Sequence, residues 1–184
     1  MKKTETKTLK TDRLVLRKPE MADAEALYNA LGKDPLYDRY INFNMFNSPE
    51  SAENFVKMHQ GENTGFYGWT VTLEGNPIGT MALFDVDEKN ESAEIGASLA
   101  SGFWNRGYMS EALSAVISFA FTEIELNRLI ATCHTENTGS RRIMEKNLMK
   151  REGILRQAQK NKDGSFSDLY LYSILREQYN DNTR

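Results

Sequence analysis

The chain has 184 residues, 40% of them hydrophobic and 27% charged, and carries a net charge of −3 at pH 7. That length suits one domain with a substantial core, and the acidic balance argues against an electrostatic nucleic-acid footprint. No apolar run reaches membrane-spanning length, the lone Cys133 excludes an intramolecular disulfide, and His59 and His134 alone do not make a metal cluster.

Residues 1–10 read as a disordered, solvated start in which Glu5 interrupts the lysines, 11–178 as the single domain and 179–184 as a polar tail. No apolar signal region follows Met1-Lys2-Lys3, so the expected location is the cytoplasm. Thr11 to Arg17 alternates as a strand. Met21, Ala24, Leu27, Tyr28 and Leu31 make an amphipathic helix that Gly32 is expected to close, and Ser48-Pro49 opens a second helix carrying Ala52, Phe55, Val56 and Met58. The intervening loop holds Tyr37, Tyr40, Phe43 and Phe46, which anchor it to the core or wall a pocket.

Strands follow at Tyr67 to Leu73, Pro77 to Phe84 and Ala93 to Leu99, joined by turns at Glu74-Gly75-Asn76 and Asp85 to Ser92. The helix after them, from Met109 to about Glu125, is apolar around much of its circumference and therefore central. A strand at Leu129 to His134, a short helix to Lys146, and strands at Lys150 to Arg156 and Asp168 to Leu175 complete the chain. The strand–helix–strand–helix unit at Ala93 to Lys146 implies at least one parallel pair within an otherwise antiparallel sheet.

The stretch Gly102-Phe103-Trp104-Asn105-Arg106-Gly107-Tyr108-Met109-Ser110-Glu111-Ala112 organises this order. A strand, a glycine-bearing turn and a helix aim unpaired backbone N–H groups and the positive end of the helix dipole at one point, which suits a phosphate or pyrophosphate. The plain alternative is an ordinary strand-to-helix connection. Rossmann and Walker patterns fit poorly, since neither Gly-x-Gly-x-x-Gly nor a Gly-Lys-Ser/Thr is present here.

This wording resembles the acetyl-CoA pyrophosphate loop of the GNAT N-acetyltransferase superfamily, most of all the branch with the ribosomal-protein N-terminal acetyltransferases. Ala93-Glu94-Ile95-Gly96, Glu136-Asn137-Thr138-Gly139-Ser140 and Thr11-Asp12-Arg13-Leu14 extend the likeness over most of the chain. The resemblance implies an α/β (α+β) fold: a mixed, mostly antiparallel, seven-stranded twisted sheet, about four flanking helices, and a parallel pair splayed for acetyl-CoA. It implies that Ala97, Ser98 and Leu99 meet the pantetheine arm, that Trp104, Asn105, Arg106, Gly107, Tyr108, Met109 and Ser110 hold the pyrophosphate, and that Asn137 and Ser140 lie beside the cofactor's far end. A homodimer is compatible with it.

The implied activity is direct transfer, in a ternary complex, of acetyl from acetyl-CoA to a primary amine: a protein N-terminus, a polyamine or a small molecule. A module that binds acyl-CoA without transfer, or a transferase using another acyl-CoA, are the alternatives. No metal is implied. Glu94 is the first candidate for the base, with an exposed or ion-paired strand glutamate as its plain reading, and His134 is the second. Ser140 is the candidate near the sulfur, or a helix cap, because the position that carries a tyrosine acid in many relatives is Met144 here. Trp104, Asn105 and Leu148-Met149 depart from the family's usual residues, and Asn147 is expected to take the left-handed C-cap in place of glycine.

Overall fold

The structure, a computed structural model, describes residues 1–2, 4–37, 39–40, 46–60 and 65–182. Eight strands form one sheet: β1 (Leu9–Lys10), β2 (Leu14–Arg17), β3 (Tyr67–Leu73), β4 (Asn76–Asp87), β5 (Ser92–Leu99), β6 (Arg128–His134), β7 (Lys150–Lys160) and β8 (Phe166–Leu175), in the order β1-β2-β3-β4-β5-β6-β8-β7. All neighbours are antiparallel except β5 and β6, the expected parallel pair.

The eighth strand comes from the stretch expected to be disordered. Leu9 pairs with Leu16, and the indole N–H of Trp69 donates to the Lys7 carbonyl at 2.8 Å. Trp69 is fully buried, so its one donor needs a backbone acceptor, and the start of the chain supplies it. A fifth helix, α5 (Arg176–Asn182), takes up most of the expected tail; Tyr179 stacks on Phe121 at 5.5 Å and donates to the Ser118 hydroxyl.

The central helix, α3 (Tyr108–Thr122), lies across one face of the sheet with α4 (Thr138–Lys146) beside it. Every apolar residue assigned to its buried sides, from Met109 through Phe121 to Ile124, is buried, packed against Trp69, Leu83, Ile95 and Leu129. Helices α1 (Asp23–Leu27) and α2 (Pro49–Gln60) cover the other face around a second core of Leu27, Leu31, Phe46 and Phe55. Ser48 caps α2 as expected: its hydroxyl accepts the Ser51 N–H, while the Ser51 hydroxyl accepts the Ser48 N–H.

The first helix differs from the sequence pattern. It runs into a π-helical turn over Tyr28–Gly32, and Gly32 is not left-handed. A Cβ there would lie 1.9 Å from the Phe46 carbonyl oxygen, so glycine serves the close passage of another backbone segment rather than a cap. A part-buried ion pair fastens this layer to the sheet. Arg17 donates through two nitrogens to Asp23 at 2.7 Å each, and Thr70 and the Glu20 N–H complete the carboxylate's shell. Burial pushes the Asp23 carboxyl up, but these donors together hold it below the ordinary value. Among the described residues no helix is long and apolar enough to cross a membrane.

Candidate functional site

β5 and β6 pair only at Ser92–Arg128, Ala93–Leu129 and Glu94–Ile130, and then part. β5 stays on β4 as far as Leu99 and β6 stays on β8 as far as His134, so each is held on its outer side while the inner edges open. The Ala100 N–H bonds to the Ile78 carbonyl of β4, and alternate residues of an antiparallel ladder turn their backbone to the same neighbour. Ser98 therefore gives its backbone to β4, while Ala97 and Leu99 turn theirs to the opening. The Leu99 carbonyl already accepts the Trp104 indole N–H at 2.8 Å. Trp104 thus folds back over the end of β5.

Beyond Trp104 the loop passes through two left-handed residues, Asn105 at φ 59° and Gly107 at φ 83°. Asparagine is among the side chains that tolerate this region best. Gly107 is the N-cap of α3, and the first intrahelical bond is from the Glu111 N–H to its carbonyl. The N–H groups of Tyr108, Met109 and Ser110 precede that bond and gather at the positive end of a fifteen-residue helix. The side chains of Met109 and Ser110 are buried, so only their backbone faces the loop; the Ser110 hydroxyl accepts from Asn147 Nδ2 at 3.0 Å. Arg106 is the loop's own cation, its guanidinium 5.9 Å from the Phe103 ring.

Glu94 and Thr132 face the α1/α2 side, since Ala93, Ile95, Ala131 and Cys133 face the core beneath α3. The Thr132 hydroxyl donates to Glu94 Oε1 at 2.9 Å, spanning the point where the strands part. Partial burial raises the Glu94 carboxyl above its ordinary value; the Thr132 bond opposes this and Asp85 adds to it. Thr132 escaped the sequence reading, although period-two alternation puts it on the same face as His134.

His134 shares that face, its ring 5.5 Å from Tyr40, and its Nδ1 accepts the Glu136 N–H at 3.2 Å. Arg39, Tyr40, His134, Glu136 and Gln159 line a cavity of about 370 Å³ at this end of β6. Tyr37 bonds to the Ser98 hydroxyl at 3.4 Å, anchoring the aromatic loop over β5; Phe43 lies outside the described residues. Asp34 clasps the loop's start to the anion loop, taking the Ser101 N–H at 2.6 Å, the Ser101 hydroxyl at 3.0 Å and the Leu36 N–H at 2.9 Å.

Asn137, not Ser140, caps α4: its Oδ1 accepts the Ser140 N–H at 3.0 Å. The Ser140 hydroxyl lies against the Cys133 thiol, whose pKa burial raises and this contact partly offsets. Glu94 and Ser140 therefore occupy opposite faces of the sheet, and both can act only on a group lying in the opening between β5 and β6. Met144 is a packed core residue. At the end of α4 the left-handed residue is Leu148 (φ 64°) rather than Asn147. The Leu148 and Met149 N–H groups return to Glu145 and Met144 in a Schellman arrangement, and the Asn147 side chain is spent on Ser110 and Ile143 instead.

The model of the acetyltransferase (GNAT) domain matches residues 13–150. The chain belongs to the GNAT acetyltransferase family. This GNAT enzyme is 34% identical over 177 residues to the N-acetyltransferase p20 of Bacillus licheniformis, itself described as uncharacterized, covering 94% of this chain and 98% of that one. It is similar to the crystal structure of a GNAT-family acetyltransferase from Bacillus anthracis, at 32% identity and a TM-score of 0.81, with 93% and 99% of the two chains covered. A ribosomal-protein-serine acetyltransferase of Escherichia coli is 27% identical over 124 residues, 67% of this chain and 68% of that one.

Proposed function

We propose that this acetyltransferase moves acetyl from acetyl-CoA to a primary amine in a direct ternary complex, with the amine arriving from the α1/α2 face. The observation that carries the reading is the parting of β5 and β6 after Glu94–Ile130, with an unpaired helix terminus at one end and a half-buried carboxylate at its root. Acetyl-CoA, when bound, supplies the activated thioester.

The chain's own residues divide the remaining work. The N–H groups of 105–110 and the Arg106 cation fit a pyrophosphate, and the outward backbone of Ala97 and Leu99 fits an amide-bearing arm laid along β5. Glu94 accepts the proton that the ammonium must lose before its nitrogen can attack, directly or through a water, and Thr132 fixes the carboxylate's direction. Its raised pKa suits a base working near neutral pH. The Ser140 hydroxyl, on the opposite face, offers a proton to the leaving sulfur, since Met144 has none to give.

Of the candidate acceptors a protein N-terminus ranks first, because the relative from Escherichia coli acts on a ribosomal protein and the cavity beside His134 presents both signs of charge and amide groups, as a peptide requires. We place the enzyme in the cytoplasm on the strength of its single, buried cysteine. Calorimetry with acetyl-CoA, desulfo-CoA and ADP, followed by thiol release over a panel of N-terminal peptides, polyamines and small amines, tests the assignment. Acetyl-CoA is expected to bind and to be consumed only with amine; longer acyl-CoA donors compete in the same assay. Absence of CoA binding at millimolar ligand overturns the proposal.

A further inference from the structure

Thr11-Asp12-Arg13-Leu14 opens the domain, yet its side chains reach across to the first turn of α3. Arg13 Nη1 donates to the Arg106 carbonyl at 3.0 Å, Nε donates to Glu111 Oε2 at 2.7 Å, and the guanidinium carbon lies 4.4 Å from the Tyr108 ring centroid. Glu111 is itself gripped by the Thr11 hydroxyl and the Arg13 N–H, and Thr11 accepts the Leu14 N–H. A Cβ on Gly107 would stand 3.3 Å from Arg13 Nη2, tighter than ordinary packing. The guanidinium is thus fixed by a carbonyl, a carboxylate and a ring.

We infer that Arg13 is a positioning residue for the anion loop. A trans peptide holds its C=O and the following N–H in opposite directions. Pinning the Arg106 oxygen therefore turns the Gly107 N–H away from Arg13, to the side on which the N–H groups of the α3 terminus collect. Because Glu111 neutralises Arg13 at 2.6 Å, the pair adds little net charge to the site. Its contribution is the direction of one peptide, not an attraction for phosphate.

The inference rests on the assignment of this loop to the CoA pyrophosphate, and the test separates the two. In Arg13→Met the Kd for ADP and for CoA rises together by roughly ten-fold, about the effect of one hydrogen bond to a charged group. With Glu111→Gln added, so that the net charge is unchanged, the salt dependence of binding, the KM for the amine and kcat at saturating donor stay within two-fold of wild type. Arg13→Lys, which keeps one donor within reach of the Arg106 carbonyl, recovers part of the affinity. In the unaltered protein the Gly107 amide resonance shifts on titration with ADP, a readout that does not depend on a variant folding. Wild-type affinity in Arg13→Met, a flattened salt dependence in the charge-neutral double variant, or a Gly107 amide that ignores bound ADP overturns the inference; no ADP or CoA binding by the wild type defeats the loop assignment instead.

Discussion

Replacing Arg17 by methionine removes the cation from a carboxylate that is 2% exposed. Asp23 then keeps the Thr70 hydroxyl and the Glu20 N–H but loses both charge-assisted bonds from the guanidinium. Breaking a buried pair costs roughly 3–5 kcal/mol. The two surviving donors put this case at the lower end, about 3 kcal/mol, which for a chain of this size lowers the melting temperature by roughly 6–12 °C. The pH dependence gives a sharper signature. In the wild type the Asp23 carboxyl is held below its unfolded value, so its stabilisation is present above the ordinary carboxylate range and fades as pH falls through the depressed value. Without Arg17 the Glu20 N–H and Thr70 hydroxyl alone oppose burial, so the depression shrinks and the variant forfeits less stability on acidification than the wild type. Urea unfolding from pH 7 to pH 4 should therefore show a gap that is widest at neutral pH and narrows on acidification. A gap below 1 kcal/mol at pH 7, or one that does not change with pH, refutes the account of this ion pair.

Glu94→Gln should lower kcat by about 10²–10⁴-fold and remove the acid limb of the pH–rate profile; full turnover across pH takes Glu94 out of the base role. Because the folded carboxyl is raised, ionisation of Glu94 weakens the fold as pH rises through that value, so the glutamine variant should be the more stable at neutral pH, with the difference vanishing below the ordinary glutamate range. Thr132→Val withdraws the bond that opposes this rise and should move the acid limb of kcat/KM to higher pH, with Thr132→Ser restoring it; an unmoved limb sinks the pairing. At Leu148, φ 64° makes Gly more stable than Ala by about 0.5–1 kcal/mol, the reverse of their order inside a helix, as thermal unfolding of the two variants would show.

The parts legible in the sequence are those whose signal is local. The apolar circumference of α3, the alternation of β3, β5 and β6 and the glycine-bearing turn at 104–107 each lie within one short window, and together they require the parallel pair. The contacts that orient the site lie far apart in sequence. Glu94 meets Thr132 across 38 positions, Asp34 meets Ser101 across 67 and Arg13 meets the Arg106 carbonyl across 93. No periodicity reports them. Gly32 misled for the same reason: its cause is the Phe46 carbonyl, fourteen positions away and invisible to a pattern of turns. β1 and α5 were missed because two residues at a sheet edge and a polar final helix carry no pattern of their own; the demands of Trp69 and Phe121 hold them.

The Asp34 clasp bears on how such an enzyme diversifies. One carboxylate, Asp34, holds the backbone at Leu36 and at Ser101 together, so the segment after residue 35 and the loop before α3 start from one tether. On the function proposed above, insertions or replacements beyond Leu36 reshape the amine side without moving the donor loop. Change at position 34 itself reaches both at once. Under that proposal a lineage built on this arrangement inherits a fixed tether beside an editable segment.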